Sequence, residues 1–254
     1  MINGLYLSAN GVMANSFRQD VIANNLANVE NVGFKRDVAT FQQRLSEAKI
    51  RRDLNVSNPT LDDVSGGMLL SPVSVDLTQG ELEPTGNNLD VAIQGNGYFA
   101  VQNGDKRSLT RDGRFMVDRA GILTLANGSG AQVLDKDMKP IQLDAQSQVG
   151  ITIGQFGEIT ASGQAIAQLG LVDVDDPTKL IKRGSSLISY ENAGSLKTAK
   201  GSLRSEFVER ANVDPATEMS QLMDAQRQLE ANANMIKYQD QTLGRLVNDV
   251  GKIS

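Results

Sequence analysis

Leu222, Leu229, Ile236, Leu243 and Val250 stand seven residues apart near the C-terminus and are all apolar, which is the period of a supercoiled helix seam. A seven-residue repeat held over about four heptads keeps one narrow stripe facing a neighbour, whereas an ordinary domain-surface helix drifts and needs a broader apolar face. The spacing therefore predicts a long helix that needs a partner helix, and it makes assembly rather than chemistry the first functional expectation. Asp214-Pro215 supplies the start, with Asp214 as N-cap and Pro215 at the first helical position. Asp214 and Glu218 at that end, and Arg245 and Lys252 near the other, match the helix dipole. A helix over 215–250 is about 54 Å long, more than a small domain is wide. Gly244 weakens its last turns by about 1 kcal/mol relative to Ala.

A second helix is expected near the N-terminus. Residues 3–28 contain no Pro, and Ile2, Leu5, Ala9, Val12, Ala23 and Leu26 fall on one heptad stripe interrupted by Ser16 and Gln19. Gly4, Ser8, Gly11 and Asn15 make another row at helical spacing. That row has two readings, a seam of small side chains that lets another backbone come close or a surface helix weakened by Gly. Asn31-Val32-Gly33 ends the periodicity, with Gly33 suited to a left-handed stop. Two helices alone leave Met13, Phe17, Met219, Met223 and Leu246 wet. The expectation is that the termini are poorly ordered in the monomer and form coiled coil when subunits assemble.

Composition narrows the chemistry. With 254 residues, 40% of them hydrophobic, the chain can bury a real core. It has no Cys, no His and no Trp, which removes thiol nucleophiles, the usual metal ligands, Ser-His-Asp and Cys-His arrangements and disulfides together. Carboxylate pairs and Ser-Lys dyads remain available among 30 acidic and 25 basic side chains, but no spacing singles any out. The chain reads as a non-enzyme without cofactor or metal. A net charge of −5 and a pI near 4.9 argue against a nucleic-acid footprint. The doublets Arg51-Arg52 and Lys182-Arg183 read as solvated loop charges. No apolar run reaches the roughly 18 residues of a membrane span, and Met1-Ile2-Asn3-Gly4-Leu5 lacks the basic and apolar regions of a Sec signal.

From Phe34 to about Gly86 the chain is polar and turn-rich, with Arg51-Arg52-Asp53, Asn58-Pro59 and Ser65-Gly66-Gly67, and reads as an extended connector. Residues 87–190 then alternate β-type runs with turn signals: Leu89–Ile93, Tyr98–Val101, Phe115–Val117, Ile122–Leu125 and Ile151–Ile153. Asn103-Gly104, Asp112-Gly113, Asn127-Gly128 and Ser162-Gly163 punctuate them, each tolerating positive φ. The expected fold is α+β, with N- and C-terminal helices pairing as a coiled coil and a mainly antiparallel β-rich middle. The expected divisions are 1–35, 36–86, 87–200 and 201–254, the last a linker plus the long helix.

Other motifs invite chemical readings. Gly95-Asn96-Gly97-Tyr98-Phe99-Ala100 matches the G-x-G-x-x-A form of a dinucleotide fingerprint, but Tyr98-Phe99-Ala100-Val101 reads as a strand, so no helix N-terminus would face a pyrophosphate and a hairpin turn is favoured. Asp173, Asp175 and Asp176 before Pro177 lack the glycine and glutamate of an EF-hand and read as a solvated turn. Asn127-Gly128-Ser129 fits a glycosylation sequon that matters only in a glycosylating secretory route.

The run Asp20-Val21-Ile22-Ala23-Asn24-Asn25-Leu26-Ala27-Asn28, followed by Val32-Gly33-Phe34-Lys35-Arg36, closely resembles the N-terminal signature of bacterial flagellar rod and hook proteins. The middle pattern of that family appears in Gln79-Gly80-Glu81-Leu82-Glu83-Pro84-Thr85-Gly86-Asn87-Asn88-Leu89-Asp90-Val91 and on to Phe99, and in Thr110-Arg111-Asp112-Gly113-Arg114-Phe115. Asn212-Val213-Asp214-Pro215, Glu218-Met219 and Gln226-Arg227 resemble its C-terminal segment, so the likeness covers nearly the whole chain. Three departures blur the subtype: Ala211 before Asn212, Asp214 in place of Asn, and Leu229 where an aromatic is usual.

The resemblance implies a structural, self-assembling subunit of the basal-body rod, transmitting torque from motor to hook and serving motility. It implies export by the flagellar type III apparatus without a cleaved signal, and a place in the periplasm-spanning rod. Residues 1–35 and 201–254 would form the axial core and 87–200 an outer domain. The implied partners are further copies of the chain in a helical assembly and neighbouring rod and hook proteins, with no nucleic acid and no direct membrane insertion. Open helical filaments need distinct donor and acceptor surfaces. The distal rod type is preferred over the proximal, with a hook-type subunit or a secreted β-domain adhesin as alternatives. Residues expected to carry subunit packing are Leu5, Val12, Leu26, Leu222, Leu229, Ile236, Leu243 and Val250. Asn24, Asn25, Leu26, Ala27, Asn28, Gly33, Phe34 and Lys35 form the family signature, and Gly33-Phe34-Lys35 is either an assembly or export element or a helix stop followed by an anchored aromatic. Gln42 to Met68 is where contacts that stiffen a straight rod are expected.

Overall fold

The computed structural model describes residues 2–43, 68–143, 150–161, 163–184, 186–191 and 193–250. The chain forms two units that interleave along the sequence, one built from Met1–Leu26, Asp37–Ser74 and Pro215–Ser254, the other from Ala27–Arg36 and Val75–Asp214.

The first unit holds helix α1 (Ile2–Ala27), strands β1 (Asp37–Val38), β2 (Phe41–Gln43) and β3 (Met68–Leu70), and helix α2 (Pro215–Val250). α2 starts at the proline and covers the span its heptads predict. The residues of α2 withdrawn from solvent are Glu218, Leu222, Ala225, Leu229, Asn232, Ile236, Gln239 and Leu243. Their steps alternate between four and three, so the apolar row read from the sequence is one half of a full two-position stripe. On α1 the withdrawn set includes Gly4, Ser8, Gly11, Asn15, Ile22 and Asn25. Strands β2 and β3 pair antiparallel with Phe41 opposite Leu70. The Phe41 ring meets Phe17 edge-on at 6.2 Å, which corrects the expectation that Phe17 stays wet. Met13, Met219, Met223 and Leu246 are exposed. Arg51-Arg52, Asn58-Pro59, Ser65-Gly66-Gly67 and the expected stiffening segment between Gln43 and Met68 lie outside the described residues, as do Lys252 and the side chain of Val250.

The chain passes to the second unit within β4 (Ser74–Val75). Strands β5 (Leu82–Pro84), β6 (Val91–Gln94), β7 (Tyr98–Asn103), β8 (Lys106–Thr110), β9 (Phe115–Val117), β10 (Leu123–Leu125) and β11 (Gln132–Val133) follow. Next come β12 (Ile151–Ile153), β13 (Glu158–Ala161), β14 (Gln164–Gln168) and β15 (Leu171–Val174). After a short 3-10 turn at Pro177–Lys179 come β16 (Ile181–Arg183), β17 (Leu187–Ser189), β18 (Leu196–Thr198), β19 (Ser202–Ser205) and β20 (Phe207–Glu209). The registered strand pairs of this unit are antiparallel, from β7 with β8 to β20 with β5. The fold is therefore α+β, with a mainly antiparallel β-rich middle.

The largest sheet runs β16-β17-β8-β7-β11-β10-β9. β7 is its pivot, because one edge pairs with β8 and the other is shared between β15 at Tyr98-Phe99 and β11 at Val101-Gln102. Phe99 and Val101 point into the main core with Phe115, Leu123, Ile153 and Ile159, while Tyr98 joins a smaller cluster with Leu109 and Ile188. A strand buried on both faces reads as a continuous apolar run, as Tyr98-Phe99-Ala100-Val101 does.

Two turn expectations change. Gly95 and Gly97 adopt positive φ and a strand follows, so the fingerprint lacks its helix. The turn is not a hairpin, however, because β6 pairs with β19 and β7 does not pair with β6. At Gly113 the requirement is space rather than φ, since an added Cβ would fall 1.7 Å from the Val91 carbonyl oxygen.

Candidate functional site

The candidate site of the first unit is the seam between α1 and α2. A Cβ added at Gly4 would lie 2.9 Å from Gln239 Nε2, and one at Gly11 would lie 2.7 Å from Asn232 Nδ2. Further along, Asn25 Nδ2 donates to Glu218 Oε2 at 3.4 Å. Each step up α1 is matched by an equal step down α2, so the helices run antiparallel in a constant register. The Gly4, Ser8, Gly11 and Asn15 row is withdrawn from solvent rather than on an open surface, and what comes close to Gly4 and Gly11 is a side-chain amide of α2.

Leu5, Val12, Leu26, Leu222, Leu229, Ile236 and Leu243 are half-buried along the pair. Leu222 and Leu229, with Ala23, floor an open groove of about 450 Å3 rimmed by Gln19, Asp20, Gln226 and Glu230. Met235 and Tyr238 join the exposed apolar residues of α2, and Tyr6 and Leu7 those of α1.

At the end of α1, Asn25 is fully buried. Its carboxamide pairs with the main chain of Asp37, accepting from the Asp37 N–H at 2.8 Å and donating to the Asp37 carbonyl at 2.8 Å. A side chain here copies what a neighbouring strand would offer, and holds the returning chain. Asn24 Nδ2 donates to the Asp37 carboxylate at 2.9 Å.

The second unit gathers the rest of the signature around Glu209. Ala27 ends α1, and Asn28 accepts from the Asn31 side chain at 2.7 Å. Gly33 takes φ +69°, donates its N–H to the Glu209 carbonyl at 2.7 Å, and lies where an added Cβ would come within 2.4 Å of the Arg111 carbonyl carbon. Phe34 is buried, with Lys182 Nζ 3.6 Å from its ring centroid. Lys182 also donates to the Lys35 carbonyl at 2.7 Å, so it is half-buried in β16 and not the solvated loop charge the sequence suggested.

Lys35 Nζ donates to the Thr78 carbonyl at 2.7 Å and to Glu209 Oε1 at 2.5 Å. The same Oε1 accepts from the Gly80 N–H at 3.0 Å, and Oε2 accepts from Arg111 Nη1 at 3.1 Å. Arg111 also donates to the Gly95 carbonyl at 3.0 Å and stacks over Tyr98. Both side chains of each pair are nearly inaccessible. Burial pushes the Lys35 ammonium below its ordinary range, with Glu209 pulling it back. Asn212 closes the cluster by accepting from the Arg36 N–H and donating to the Asp76 and Thr78 carbonyls.

Four stretches far apart in sequence, those of Lys35, Gly80, Arg111 and Glu209 itself, thus meet at one carboxylate. Glu209 itself carried no signal, since Phe207-Val208-Glu209-Arg210 reads as a strand end with two solvated charges. This arrangement positions chain; among the described residues no group of acids, Cys or His could hold a metal ion.

Residues 5–35 match the family of flagella basal body rod proteins, residues 92–161 the flagellar hook protein FlgE/F/G D1 domain, and residues 204–249 the flagellar basal body rod FlgEFG protein C-terminal family. The chain is 31% identical to the flagellar basal-body rod protein FlgF of Caulobacter vibrioides over the full length of both. To the flagellar hook protein FlgE of Treponema pallidum it is 40% identical over 136 residues, 52% of this chain and 29% of that protein. With 31% identity over 98% of its own length to the flagellar basal-body rod protein FlgG of Bacillus subtilis, and with its signature residues converging on Asn25 and Glu209, the chain belongs to the flagellar basal-body rod protein family.

Proposed function

We propose that this protein is a structural subunit of the bacterial flagellar rod, located in the basal body, and that it acts by association rather than catalysis. The observation that carries the reading is the end-to-end match to rod proteins, 98% of this chain and 99% of FlgG of Bacillus subtilis, against 29% of the hook protein FlgE of Treponema pallidum. The paired helices supply the axial core, winding as a coiled coil in the assembled state, and residues 87–200 supply the outer domain. Exposed Met13, Met219, Met223, Met235 and Tyr238 give the pair further apolar surface for neighbouring copies, which cover what two helices cannot. The contacts between copies are heterologous and do not close, so they generate an open helical tube that carries torque. The subunit reaches the tube through the flagellar type III export apparatus, joins rod and hook proteins at its ends, and belongs to the distal rod type.

Deleting the gene and imaging isolated basal bodies tests this. A rod truncated before its outer segment is the expected result. A complete rod that lacks only the hook would instead assign a hook-type subunit, and normal motile filaments would remove the flagellar role.

A further inference from the structure

The two halves of the α1–α2 seam do different work. Leu222, Leu229, Ile236 and Leu243 are alike in size and chemistry, so sliding one helix by a heptad would leave that row nearly as well matched as before. The alternate positions are not interchangeable. In the observed register Gln239 covers Gly4, Asn232 covers Gly11 and Asn25 meets Glu218. A slide that brings Gly11 to Gln239 sets Arg18 against Asn232 and Asn25 against Ala225, and strips Glu218, 1% exposed, of Asn25. The opposite slide brings Gly4 to Asn232, carries Asn25 past the start of α2 and runs Gln239 beyond the start of α1.

The Gly4–Gln239 layer is kept at an energetic cost. Gln239 Oε1 is buried without a hydrogen-bond partner, which destabilises relative to an apolar group of the same shape. Leucine at 232 and 239 would continue the apolar pattern of the heptad.

We infer that the Gly4–Gln239, Gly11–Asn232 and Asn25–Glu218 layers are a register key: they confine the two helices to one antiparallel alignment and give up stability to do so, as a single buried polar residue does in coiled coils generally. A long helix with a uniform apolar row has several near-equal alignments, and a subunit that packs against identical copies can use only one.

The absence of Cys makes disulfide trapping a direct readout in the full chain. Gly4→Cys with Gln239→Cys reports the observed register, and Gly4→Cys with Leu246→Cys reports a slide of one heptad. With the remaining layers natural, only the first pair should close. With Asn232→Leu and Glu218→Leu added, the second pair should close as well. Absence of the 4/246 bond in that background overturns the inference, and so does its formation, or failure of the 4/239 bond, when the layers are natural. Gln239→Leu alone removes the unpartnered Oε1, keeps the buried Asn25, Asp37 and Glu218 contacts and should raise the melting temperature of the helices; a lowered one contradicts the stability cost.

Discussion

Glu209 holds two buried cations with one carboxylate, and that imbalance makes it the most consequential side chain of the second unit. Glu209→Gln leaves Lys35 and Arg111 charged, buried and unpaired, and should cost about 3–5 kcal/mol, read as a lowered urea midpoint. The surface pair Lys197–Asp175 looks similar on paper, yet both groups are in water, and Lys197→Ala should leave the same midpoint unchanged. Lys35 adds a pH signature. Its folded pKa is lowered by burial below the ordinary 10.5, so the unfolded chain binds that proton more tightly. Stability from this group therefore rises as pH climbs through the folded value towards 10.5, and the rise should vanish in Lys35→Met. Tyr98, pushed up by burial, works in the opposite sense, so the comparison is the difference between the two proteins at each pH.

Among elements, α2 was the most legible. Its start, period and length follow from Pro215 and a row of apolar residues seven apart, because local rules govern a helix end and a heptad. Gly244 sits on it with nothing within 4 Å of an added Cβ, so Gly244→Ala should raise helical circular dichroism and stabilise α2 by about 1 kcal/mol. Gly33 is the reverse case. Its positive φ and the Arg111 backbone behind it mean that Gly33→Ala should lower the melting temperature of the second unit. The polar half of the seam stayed hidden in the sequence because Asn232 and Gln239 look like the solvated face of any helix until a glycine stands opposite. Glu209 was hidden for a related reason, since its partners lie in stretches brought together only by the fold. The short strands from β6 to β12 are visible wherever an apolar run meets a turn signal, whereas their partners are not, which is why the Gly95 turn reads as a hairpin although β6 pairs with β19.

For the whole molecule, the proposed function assigns association to the first unit and scaffold to the second. Ile236→Asp puts a charge in the apolar half of the seam and should abolish incorporation into basal bodies, scored by immunoblot of purified rods, while the β-sheet spectrum of the second unit persists. If the variant is incorporated normally, the row serves only as an ordinary internal core. The interleaving of the units has a temporal side. Lys35 and Glu209 are 174 residues apart, and Asn25 and Glu218 are 193 apart, so each unit waits for a partner near the opposite end of the chain. Closing such loops is slow and comes late. On the export route proposed above, a chain threaded end-first through a narrow passage could not complete either unit until almost all of it had emerged, so the order of arrival itself would keep the subunit unfinished in transit and let it set only at its destination.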